Sequence, residues 1–147
     1  MYIYQCKHFK IWELVPPNML TDIVEDMDKL WTLFDMNALK SIDALRERYG
    51  PAIINTHHIG GNLQYRGWRP FNCKEGSKFS QHKRGAAFDL TFLNISAKKV
   101  RQDIKQMPYN SIHYHGLQHI RRIENNVSWL HIDTGHSDQE GIKFFNP

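Results

Sequence analysis

The stretch Ser80-Gln81-His82-Lys83-Arg84-Gly85-Ala86-Ala87-Phe88-Asp89 decides how this chain is read. Gly85 and the apolar run behind it argue against one continuous helix. The segment reads instead as a turn at 83–85 followed by a strand over 86–93. Asp89 then falls inside the strand, between Phe88 and Leu90. Burying a carboxylate without a partner is costly, and a cation beside it removes that cost. The later run Trp129-Leu130-His131-Ile132-Asp133 supplies a second imidazole, in a pattern that suits a strand. His82, Asp89 and His131 together form a mixed nitrogen and oxygen set suited to zinc. Three protein ligands leave a fourth position open, as a catalytic rather than a structural zinc requires. Taken alone, His82 and Asp89 read rather as a loop histidine and a strand-end surface carboxylate.

The combined pattern is more specific than its parts. Ser80-x-His82-x-x-Gly85-x-Ala87-x-Asp89 followed by Trp129-x-His131-x-Asp133 resembles the zinc D-alanyl-D-alanine carboxypeptidase family. That family includes phage L-alanyl-D-glutamate endopeptidases and shares its fold with the hedgehog signalling domain. The resemblance spans nearly the whole chain, and the family's three zinc ligands fall on His82, Asp89 and His131. It implies a zinc metallopeptidase that hydrolyses peptidoglycan stem peptides, of carboxypeptidase or endopeptidase type. A phage-type member would be an endolysin or a virion-associated wall hydrolase. It also implies a substrate-holding arginine in the loop after the first strand, where Arg66 is the first candidate and Arg69 the second. Ser80 falls in the substrate pocket, or caps the turn. The alternative for Arg66 and Arg69 is that they stack on Tyr65 and Trp68.

The chain departs from the family at one place. Better-known members carry a glutamate or aspartate three positions before the last histidine, and Ser128 stands there. Other branches share the same ending without that acid. The general base is therefore open among Glu124, Asp133, His113, His115, His119 and His136. Strand alternation puts Asp133 on the same face as His131, so it either orients that ligand or serves as the base. The departure also leaves open a protein that keeps zinc without catalysis, a module that binds wall peptide or a partner such as a virion protein.

With 147 residues, 41% hydrophobic and 23% charged, the chain has the length and composition of one globular domain. The expected architecture is α+β, a small and mainly antiparallel sheet carrying the ligands, with helices packed on one side. The net charge of +4 favours an anionic partner such as peptidoglycan with its teichoic acids. No block of lysine and arginine points to nucleic acid. Nothing suggests a signal peptide or a membrane span. The expectation is synthesis in a host cytoplasm and action at the bacterial cell wall or in a virion. Cys6 and Cys73 match no metal spacing and read as free thiols, a single disulfide being the alternative.

Around the site the chain divides simply. Residues 9–15 read as a short segment on the surface of the core. Pro16-Pro17 opens a first helix with Leu20, Ile23, Val24, Met27, Leu30 and Trp31 as its stripe, and Asp22, Glu25, Asp26 and Asp28 as a solvated face. Asp35 caps a second helix, striped by Ala38, Leu39, Ile42, Leu45 and Tyr49 and ended by Gly50-Pro51. A strand at 52–55 precedes a polar, aromatic loop over 56–71. There, adjacent His57 and His58 point apart in an extended chain and so do not ligate jointly. Ser96 caps a third helix with Ala97, Val100, Ile104 and Met107 inside, Lys98, Lys99, Arg101 and Lys105 outside, and Pro108 closing it. Strands at 116–123 and 127–133 form a hairpin around 124–126, and 142–145 reads as an edge strand.

Overall fold

The computed structural model describes residues 2–147, and its architecture is α+β. Five strands form one sheet in the order β1 (Ala52–Ile53), β2 (Ala87–Phe92), β4 (Leu130–Asp133), β3 (Arg122–Glu124) and β5 (Lys143–Phe145). All neighbours are antiparallel except β3 and β5. The helices are α1 (Val24–Lys29), α2 (Met36–Tyr49), α3 (Ala97–Gln106) and α4 (Tyr109–Tyr114). No helix among the described residues is long and apolar enough to cross a membrane.

Alternation along the strands sorts the sheet into two faces. Phe88 on β2 stands opposite Ile132 on β4, Ile132 opposite Ile123 on β3, and Ile123 opposite Phe144 on β5. This apolar row packs with Ala38, Leu39, Ile42 and Leu45 of α2 and Val100 and Ile104 of α3 in one core. Phe34 stacks on Phe88 with ring centroids 5.4 Å apart. The alternate residues, Asp89, His131, Asp133 and Arg122, occupy the other face.

Helices α2 and α3 form as their sequences dictate. Asp35 accepts a hydrogen bond from the Asn37 amide, and Ser96 accepts one from Lys99. Each satisfies an otherwise orphaned N–H of the first turn. Both cysteines are free thiols.

Several local expectations are corrected. Phe9, Ile11, Leu14 and Val15 belong to the core rather than its surface. The segment is held inside because the Leu14 carbonyl accepts from Trp68 N and the Val15 carbonyl from the Asn55 amide. The first helix does not run from Pro16. A 3-10 turn at Pro17–Met19 is followed by an extended Leu20, and α1 starts only at Val24. Ile23 and Val24 are 57% and 75% exposed. β-Branched neighbours are poor helix starters, and the Thr21 hydroxyl captures the Ile23 amide. Arg101 lies inside, because its guanidinium donates to the carbonyls of Val127 and Trp129. Those two bonds fix the entry to β4, which is shorter than the expected 127–133. The expected strand at 116–123 is mostly turn: helix α4 ends before it, Gly116 sits at φ 73°, and the chain stays irregular to Arg121. Only Arg122–Glu124 pairs as strand, although the hairpin with β4 and the edge position of β5 are as expected.

Candidate metal centre

His82 is placed by a 3-10 turn, Gln81–Arg84, that Ser80 caps through the His82 amide. Gly85 closes the turn at φ 67°, a conformation glycine adopts without cost. A Cβ there would also collide with the Leu33 carbonyl. The Asp35 amide donates to the Gly85 carbonyl at 3.0 Å, so the start of α2 anchors the turn.

The ring of His82 is buried and lies 2.9 Å, through Nδ1, from the Gly67 carbonyl. A carbonyl only accepts, so Nδ1 carries the proton and Nε2 is left facing Asp89 Oδ1 at 3.4 Å. Gly67 is needed for close approach, since a Cβ would run into the Leu14 carbonyl. On the sheet, Asp89 and His131 are direct cross-strand partners. His131 Nδ1 lies 2.8 Å from Asp89 Oδ1, and its Nε2 lies 3.0 Å from Asp133 Oδ2. One donor atom from each of His82, Asp89 and His131 lies within 4.8 Å of the others. This buried group can hold a metal ion, and its ring orientations suit the task. Each imidazole uses one nitrogen on an outer acceptor and presents the other to the shared centre, as metal-ligating histidines do.

The electrostatics follow from that packing. Burial alone would raise the Asp89 carboxyl. Hydrogen bonds from His131 and His82, with their charge, outweigh it and hold Asp89 well below the usual carboxylate range. Burial alone would lower His131. Its hydrogen bonds to Asp133 and Asp89 and their negative charge push it up to about 9 in the metal-free site. Binding an ion through Nδ1 requires that proton to leave.

Of the candidate bases, Asp133 is an orienting residue. It is fully buried, and both oxygens are engaged by Arg122, at 2.8 and 3.0 Å, by the Gly135 amide and by His131. Burial raises its pKa, but the bonds from His131 and Arg122 prevail and lower it, which makes it a poor proton acceptor. His115 is not at the centre. It ends α4 and lies 3.0 Å from an Arg48 guanidinium on α2. His119 and His136 line a different cavity, and the His57 ring binds the Val15 carbonyl. Glu124 does line the metal cleft, a cavity of about 470 Å³ shared with Ser80, Arg69, Trp129 and Phe145. It makes no hydrogen bond among the described residues.

Arg69 and Arg66 both stand at the rim. Arg69 Nη2 is 3.6 Å from Asp89 Oδ2, and its Nε donates to the Tyr65 carbonyl. Arg66 donates to the Thr91 hydroxyl at 3.0 Å. They share a second, smaller cleft with Asp89, Trp129 and an exposed Ser128.

Sequence reasoning missed three contributors. The Gly67 carbonyl left no side-chain signal. Arg122 looked like any strand arginine, although its two-residue offset from Glu124 marked it for the same face. Trp129 lines both clefts, and its buried Nε1 has no hydrogen-bond partner among the described residues. Comparison with protein-family models, with curated proteins and with solved structures gives no match.

Proposed function

We propose that the protein is a zinc-dependent peptidase acting on peptidoglycan stem peptides, with a hedgehog/DD-peptidase-like fold. The observation that carries the reading is the convergence of His82, Asp89 and His131 at the floor of an open cleft. Two imidazoles and one carboxylate are the donor set of a catalytic zinc, and the cleft leaves room for a substrate on the remaining side. Zinc bound there acidifies a water and polarises a peptide carbonyl.

The chain's own residues supply the rest. Gly67 and Asp133 hold the two imidazoles in orientation, and Arg122 holds Asp133. Glu124 takes the proton of the attacking water at its carboxylate and returns it to the leaving amine. Arg66 and Arg69 receive a substrate carboxylate, for which the guanidinium fork is suited. Trp129 donates its indole N–H to the bound peptide. Purified cell wall incubated with zinc-loaded protein should release new amino termini, and His82→Ala should release none. Absence of release at every pH from 5 to 9 would overturn the reading.

A second reading rests on Ser128, which is exposed at the rim and offers no carboxylate where the resembled family has one. It is a zinc-containing module that binds wall peptide without cutting it. Tight stem-peptide binding with no release of amino termini would favour it. Either form suits a phage protein that acts as a lysis enzyme or within a virion.

A further inference from the structure

Beside the metal cleft lies another cavity, of about 630 Å³, whose walls are polar and basic. Arg84 comes from the end of the turn that carries His82, and Arg121 directly precedes β3. His119 and His136 add two imidazoles. Among the described residues, none of these four side chains makes a hydrogen bond or ion pair. The carboxylate in the wall, Asp35, is already engaged by the Asn37 amide and the Thr134 hydroxyl. The two guanidiniums on this concave surface outnumber its one carboxylate, and with neither of them ion-paired the surplus positive charge favours an oxyanion there.

The cavity adjoins the metal centre. Gln81 lines both, and its side chain lies against Gly135, where a Cβ would stand 2.8 Å from Gln81 Cδ. The glycine therefore leaves the amide room on the shared wall.

We infer that the basic cavity is a carboxylate subsite of the metal cleft. An anionic peptide with its carbonyl against His82, Asp89 and His131 extends past Gln81 and places a free carboxylate between Arg84 and Arg121. The inference rests on the peptide reading above for the identity of the ligand. It adds that the chain selects acidic peptides, and does so at a pair of arginines separate from Arg66 and Arg69.

The test uses the full zinc-loaded chain, a synthetic stem-type peptide with free carboxylates and the same peptide fully amidated. Titration calorimetry reads binding whether or not the peptide is cut. The wild type should bind the free peptide at least about tenfold more tightly than the amidated one, since a charged hydrogen-bonded pair is lost. Arg84→Gln with Arg121→Gln should shrink that difference to the part that Arg66 and Arg69 contribute and leave the amidated peptide unaffected. Arg84→Lys with Arg121→Lys should restore part of it, which a merely misfolded variant would not allow. If turnover occurs, the glutamine pair should raise KM for the free peptide without changing kcat. Equal binding of both peptides by the wild type, no binding of either, or an unchanged preference in the glutamine pair would overturn the subsite. A chain that binds the free peptide selectively, loses selectivity in the glutamine pair and never cuts the peptide upholds the subsite and removes the peptidase. A chain that cuts both peptides equally does the reverse.

Discussion

The two faces of the sheet are built from alternate residues of the same strands and meet opposite requirements. Phe88, Ile132, Ile123 and Phe144 stand in register and are closed off by α2 and α3. Asp89, His131, Asp133 and Arg122, one residue removed from them, form an ion-paired and hydrogen-bonded layer. The apolar face supplies rigidity without direction, since burial is proportional to area. The polar face supplies direction, since every bond in it fixes a ring or a carboxylate, and those charges are stable there only because each has a partner. The backbone that the first face immobilises is the backbone that sets ligand positions on the second.

The comparison breaks most completely if a ligand is removed. We expect His82→Ala to abolish stoichiometric zinc, from about one ion per chain, as read by elemental analysis after gel filtration. The fold should survive, because the apolar face is untouched. Glu124→Gln should leave zinc content unchanged and slow wall hydrolysis by about 10²–10⁴-fold, in an amino-terminus release assay. On the opposite face, Ile132→Ala should cost about 2–5 kcal/mol in denaturant unfolding through the cavity it leaves. It should also weaken zinc binding, since Ile132 lies between His131 and Asp133. A variant that loses stability yet keeps full zinc affinity would show the faces to be independent.

Smaller effects sharpen the contrast. Asp133→Asn should lower zinc affinity about 10–100-fold, in competition with a chelating dye, because His131 loses its orienting carboxylate. The mildest effect is pH dependence. His131 is raised from its ordinary 6.5 to about 9 in the metal-free protein. Its protonated ring therefore stabilises the metal-free fold fully below pH 6.5, and that contribution disappears as pH rises through about 9. Asp89 is shifted the other way, so its contribution is present above its ordinary 3.8 and is lost as pH falls below it. Denaturation midpoints of metal-free protein should fall between pH 6.5 and 9. Zinc loading near pH 7.5 should expel about one proton per ion, measured by calorimetry in buffers of different ionisation enthalpy.

What was legible in advance shares one property: its cause lies within a few residues. The stripes and caps of α2 and α3, the strand carrying Asp89 and the alternation in Trp129-x-His131-x-Asp133 are local patterns. The misreading of Arg101 occurred where distant partners overruled such a pattern. Arg101 sits on a polar-looking helix face yet is drawn inside by two carbonyls near residue 128. Residues 116–121, expected in a strand, turn instead, and only Arg122–Glu124 is strand, paired with β4.

The three residues able to hold a metal ion and the α+β class were thus written in the chain itself, because donor chemistry belongs to residue types and helix and strand periods belong to neighbours. The tertiary structure alone decided that Asp133 is tied to Arg122 as well as to His131, that the Gly67 carbonyl sets the His82 ring, and that Arg84 and Arg121 share a cavity. Each of these joins residues far apart in sequence, and only the packed path of the chain brings such groups within hydrogen-bonding reach.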